Sequence, residues 1–194
     1  MNQRILCVEP YNPCWATEYH TEQQQLRQIL PAGLVISIHH IGSPSVEGLP
    51  AKPVIDMLLE VSDVKLLDSI TDAMETLGYS ARGGNGIVGR RYFTKDGTLR
   101  THQLHAFNTG DQQVVNHLAF RNYLAAKPCV AAEYARIKRQ AVAICQNDAQ
   151  RYAALKHDFI VYHLQLALTW QLTHSQSEEI WYGEMIKPKS SEFM

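Results

Sequence analysis

The sequence predicts an α+β chain: helix, strand, tight bend, strand, helix and hairpin on one mixed sheet, followed by a helical part. Three observations carry this. Two apolar runs of strand length, residues 34–41 and 53–61, flank a Gly- and Pro-rich bend. An Asp-Gly pair at 96–97 separates two further strand-like runs, 87–94 and 99–107, as a hairpin turn does. After Gly110 the apolar residues fall at helical spacing. That order alone leaves several folds open.

A chain of 194 residues suits one domain with a helical appendage. The expected division is an α/β core over 1–110, helices packed on it over 111–180, and a polar tail over 181–194. The 45% apolar and 19% charged fractions read as globular. A net charge of -1 gives no general attraction to nucleic acid or anionic membrane, so any phosphate site is a local cluster. No extended basic surface with interleaved aromatics appears, so a nucleic-acid partner is not expected. No apolar run reaches the roughly 18 residues of a membrane span. Residues 1–10 lack the apolar centre of a signal peptide. Cys7, Cys14, Cys129 and Cys145 show no CxxC spacing and read as reduced thiols, so a cytoplasmic location is expected.

The elements follow in order. Asn12-Pro13 opens a helix, since Asn caps and Pro suits the first turn. Trp15, Tyr19, Leu26 and Ile29 form its core stripe, and Pro31 and Gly33 stop it. The run 34–41 is a strand on which His39 and His40 point to opposite faces. Ser62 or Asp63 caps a helix with a stripe of Leu66, Ile70, Met74 and Leu77, ended by Gly78. Gly83-Gly84-Asn85-Gly86 has neither a Walker lysine nor GxGxxG spacing and reads as a turn. On the hairpin, Arg90 and Arg91 point to opposite faces, while Thr101, Gln103, His105 and Phe107 share one. Asp111, Pro128 and Asp148 begin three helices. The pair Lys138-Arg139 reads as a solvated face. Lys156 either reaches a cleft or covers apolar surface.

The stretch from His39 to Val61 carries the chemistry. Gly42-Ser43 lets backbone approach a ligand and offers donors to phosphate. Ser45 and a helical turn over 45–49 extend that cradle. Lys52 is either a phosphate counter-charge or a solvated loop lysine. Asp56 lies within an apolar strand, where a carboxylate needs a metal, a base or hydrogen bonds.

Gly42-Ser43, a twelve-residue spacer, then Asp56-Met57 resembles the nucleotidyltransferase superfamily signature. The longer run IGSPSVEGLPAKPVIDMLLEV resembles the GrpB family, and the similarity extends from Glu9-Pro10-Tyr11 to Lys156-His157-Asp158-Phe159. The resemblance implies a nucleotidyltransferase-like mixed β-sheet core flanked by helices, followed by C-terminal helices. It also implies nucleotidyl transfer from a nucleoside triphosphate to an unknown acceptor. Asp56 and His105 would then be catalytic residues and ligands of Mg²⁺ or Mn²⁺. Gly42, Ser43, Ser45, Lys52, Arg90, Arg91 and Arg121 would bind the nucleotide or phosphate, with an ion pair to the core as the alternative for Arg121.

The sequence departs from that pattern. Leu58 stands where the superfamily has a second carboxylate, and Glu60 is about 13 Å from Asp56 along a strand, too far to share one ion. Gln103 replaces the first histidine of the family's His-Leu-His, Asn122 an aspartate, and Glu47 a proline. The alternative reading is therefore a catalytically degenerate module that binds a nucleotide or CoA-like phosphate.

Overall fold

The computed structural model describes residues 5–185. Helix α1 (Cys14–Ile29) leads into strand β1 (Val35–Ile41). A single 3₁₀ turn over Ser43–Ser45 begins the connection to β2 (Ile55–Val61). A longer 3₁₀ segment, Val64–Ile70, runs into the short helix α2 (Thr71–Thr76). Strands β3 (Tyr79–Ala81), β4 (Arg91–Lys95) and β5 (His102–Asn108) complete the sheet. Helices α3 (Gln112–Ala126), α4 (Pro128–Ile144) and α5 (Ala149–Met185) follow. The fold class is the expected one: α+β, a mixed sheet flanked by helices with C-terminal helices after it.

The strand order is β1-β2-β5-β4-β3. β2 and β5 pair in parallel and every other neighbour is antiparallel. The parallel register sets Asp56 beside Gln103 and Leu58 beside His105. Side chains alternate across each strand. Ile55, Met57, Leu59 and Val61 therefore join Leu104 and Ala106 in the large core against α1, with Trp15, Tyr19 and Leu26. Asp56 and Leu58 turn the other way, and Leu58 packs with Ile41, Phe107 and Val114 under α3. Each fully buried leucine contributes roughly 2 kcal/mol of transfer free energy. The apolar side chains thus fix the register that aims Asp56 at the C-terminal helices.

Capping follows the chain's own signals. Asn12 Oδ1 accepts from the Cys14 amide at 3.0 Å. Asp111 Oδ1 accepts from Gln113 N at 2.8 Å, and Asp148 Oδ1 from Gln150 N at 2.7 Å. Two expectations are corrected. The helix after Asp63 is mostly 3₁₀, because Ser69 and Thr71 hydroxyls bond the carbonyls of Leu66 and Asp68 three residues back, favouring the tighter turn. The strand expected over 87–94 begins only at Arg91, because the glycine-rich turn extends through Gly89 and Arg90 anchors it. Helix α5 continues into the segment read as a tail, and residues 186–194 of that tail lie outside the described residues. No helix among the described residues is long and apolar enough to cross a membrane, and their cysteines form no disulfide.

Candidate functional site

A cavity of about 330 Å³ opens between the Asp56 side of the sheet and helices α3, α4 and α5. Gly42, Ser43, Lys52, Asp56 and His105 all line it. His117 from α3, Tyr134 and Lys138 from α4, and Tyr152 and Lys156 from α5 close the other side.

The Gly42-Ser43 turn is held against Asp56. Gly42 has φ +70°, and a Cβ there would stand 2.6 Å from Asp56 Oδ2. Glycine is required on both counts, since an L side chain is strained at that φ and would collide with the carboxylate. Ser45 Oγ donates to Gly42 O at 2.6 Å, and Ser45 N reaches the same carbonyl at 3.3 Å. The Ser45 hydroxyl therefore closes the turn. It does not join Ser43 in lining the cavity.

Lys138 is the residue that sequence reasoning misplaced. It is buried at 2% exposure. Its Nζ donates to Ser43 Oγ at 2.8 Å and to the Pro50 carbonyl. Position 138 falls on the stripe of Tyr134 and Ala141, at i+4 and i+7 from Tyr134, so helical spacing carried the signal that the Lys-Arg pair masked. Burial, aided by Lys156, Arg139 and Lys52, pulls its ammonium down to about 7. Burial and Lys52 pull Lys156 down to about 8, with Asp56 acting in the opposite sense. Both Lys52 and Lys156 lie over the Tyr152 ring, at 5.1 and 4.3 Å from its centroid. Three lysines thus share the cavity with one carboxylate.

His105 is enclosed between Tyr92 and His117, with ring centroids 5.0 and 5.4 Å away. Burial, then His117 and Arg90, pull its imidazole down to about 3. Arg90 Nη1 lies 3.3 Å from His105 Nδ1. Arginine only donates, so Nδ1 accepts and the ring proton sits on Nε2. His105 then offers the cavity a hydrogen-bond donor and no lone pair.

A family model described as GrpB protein matches residues 6–165. The chain belongs to the GrpB family. Among curated GrpB-like relatives, UPF0157 protein YqkA of Bacillus subtilis is 38% identical over 161 residues, 83% of this chain and 47% of YqkA. UPF0157 protein BH1888 of Halalkalibacterium halodurans is 30% identical over 161 residues, covering 82% of this chain and 80% of that protein. The crystal structure of conserved protein GrpB from Enterococcus faecalis superposes with a TM-score of 0.81 at 35% identity. It covers 86% of this chain and 99% of that one. The match thus spans less than half of YqkA but nearly all of the solved GrpB chain.

In this GrpB chain the three candidate arginines stand apart from the main cavity. Arg90 donates to Gly84 O at 3.1 Å and Asn85 O at 2.9 Å and stacks over Tyr92, so it pins the glycine-rich turn. Arg91 grips Asp68 with Nε and Nη2, both at 2.6 Å, on the 3₁₀ segment that follows β2. Arg121 Nη1 donates to His40 O at 2.9 Å, tying α3 to β1. It lines a separate cleft of about 70 Å³ that also touches Gly42 and Ser43. The cleft arginine expected from strand alternation is absent because the backbone leaves the ladder before Arg91.

The donor set does not fit the Mg²⁺ or Mn²⁺ that the resemblance implies. Asp56 is the single carboxylate on the cavity wall, Leu58 beside it is fully buried among apolar side chains, and Arg90 occupies the His105 lone pair. Among the described residues no three His, Cys, Asp or Glu side chains are grouped as metal ligands. Three lysines would also repel the ion.

Proposed function

We propose that this GrpB chain binds a phosphorylated small molecule of the nucleotide or CoA-like class, with lysines neutralising the phosphate in place of a metal pair. One observation carries the reading: buried Lys138 donates to Ser43 at the Gly42-Ser43 turn. A hydroxyl that accepts from an ammonium keeps its own proton to donate, so Ser43 can pass that polarisation to a phosphate oxygen. Lys52 and Lys156 supply further charge, the His105 Nε2–H a further donor, and the apolar faces of Tyr134 and Phe120 a wall for the rest of the ligand.

Calorimetric titration with ATP in EDTA tests this. Binding without metal is expected, weakened at least tenfold by Lys138→Met and by Lys156→Gln. Binding that appears only when Mg²⁺ is added would overturn it.

A second reading, transfer of a nucleotidyl group from a nucleoside triphosphate, is favoured by the position of Asp56 directly against Gly42. It requires metal-dependent turnover of labelled triphosphate that Asp56→Ala abolishes.

A further inference from the structure

A second cavity, about 420 Å³, adjoins the first, and Lys52 and Gln103 line both. Its wall carries Arg82 and Arg100. Arg82 comes from the edge of the β3–β4 ladder, where its amide bonds Tyr92 O at 2.8 Å. Its Nε donates to Thr94 Oγ1 at 3.1 Å. Thr94 is fully buried, so the guanidinium is anchored through one nitrogen while its two terminal nitrogens keep the fork that suits an anion's paired oxygens. Arg100 sits at the end of the hairpin turn with φ +47°, a conformation that non-glycine residues rarely adopt. Asn147, which holds the N-terminal segment by accepting from Leu6 N at 2.6 Å, completes the far wall.

The two cavities share one electrostatic field. Burial raises the Tyr92 hydroxyl, and Arg100, Asp56, Arg90 and Arg82 are all near enough to act on it, Asp56 pushing up and the arginines down. Lys52, Lys138, Lys156, Arg82 and Arg100 line the joined space, and Asp56 is the carboxylate among the described lining residues. Five cations facing one carboxylate, in a chain of net charge -1, concentrate positive potential in this cleft. These basic side chains are divided between two chambers joined at Lys52.

We propose that the two cavities form one bipartite site for a small molecule carrying phosphates at two separate positions. One phosphate sits at Gly42-Ser43 among Lys52, Lys138 and Lys156, and the other sits on Arg82 and Arg100. This rests on the phosphate-binding reading above and adds the ligand's second anionic group.

The test is calorimetry with adenosine 3′,5′-bisphosphate and adenosine 5′-monophosphate on the full chain. The bisphosphate is expected to bind at least tenfold more tightly. Arg100→Gln and Arg82→Gln are each expected to bring the ratio of the two affinities toward one. In Lys156→Gln both affinities fall and the ratio persists. Arg100→Gln keeps the test valid if loss of the Thr94 bond unfolds Arg82→Gln. Equal affinities in the unaltered chain, or a ratio unchanged in Arg100→Gln, overturn the bipartite site and leave the lysine site standing. Failure of both ligands to bind overturns the phosphate reading and this inference together.

Discussion

Lys95 and Lys138 are both withdrawn from solvent, on opposite faces of the same sheet. Lys95, at the end of β4, donates to Glu22 of α1 at 2.7 Å, with side-chain exposures of 16% and 4%. His102 Nε2 stands 3.9 Å from the same carboxylate oxygen. Lys138 has a hydroxyl and a carbonyl as its partners and two more lysines in the same cavity. The first cation brings its counter-charge from within the chain and serves the fold. The second is surrounded by dipoles and like charge, the arrangement of a site that receives its anion from outside.

Glu22→Gln tests the structural side and carries the largest expected effect. Removing the carboxylate leaves Lys95 without its counter-charge, and urea unfolding is expected to show a loss of about 3 kcal/mol. A loss under about 1 kcal/mol would break the contrast between the two lysines. Gly42→Ala comes next. Left-handed strain and the contact with Asp56 Oδ2 are expected to cost about 2 kcal/mol and to displace the turn from Lys138.

Lys138→Met is expected to cost no stability and to add about 1 kcal/mol, although it weakens anion binding, because it removes a buried cation that lacks an internal counter-charge. The pH dependence sharpens this. Lys138 and Lys156 hold their protons less readily in the folded chain, at about 7 and about 8 against the ordinary 10.5. Between those values the unfolded chain binds more protons, so stability rises with pH from about 7 towards 10. Above 10 the buried Tyr134 and Tyr152, whose hydroxyls burial raises, oppose the rise. Chemical denaturation across that range should show a rise that Lys138→Met with Lys156→Met flattens. The smallest effect is expected from Arg91→Ala. Its bond to Asp68, a carboxylate 58% exposed, contributes less than about 1 kcal/mol, and anion affinity should not change.

The two faces of the sheet were unequally legible in the sequence. Alternation along β2 and β5 announced which residues share a face within each strand, while the pairing of Asp56 with His105 rested on the family resemblance and is fixed by the parallel register. The apolar stripe of α1 was equally plain in Trp15, Tyr19 and Leu26, although buried Glu22 falls on the same face and its partner Lys95 left no signal there. The helical side of the cavity was harder. Lys138 stands beside Arg139, and a pair of charges looks solvated unless the i, i+4, i+7 stripe is followed through it. His117 left no signal of its own: it is one polar residue on a helix of mixed face, and only the docking of α3 on β5 brings it near His105. Arg91 could not be placed from alternation, since that argument assumes a ladder that starts four residues too early. Its partner Asp68 comes from a 3₁₀ segment whose geometry is set by serine and threonine hydroxyls.

The bond from Lys138 to Ser43 joins positions 95 apart in the chain. One end rides on the first hairpin of the sheet and the other on the helices added last. An anion held between them works as a clasp: neither half grips it alone. Occupancy then couples the breathing of α4 and α5 to that of β1 and β2, and their amide hydrogens should slow in exchange together on binding. A truncated chain that keeps the sheet keeps Asp56, the turn and Lys52 while losing Lys138 and Lys156, the cations that close over them.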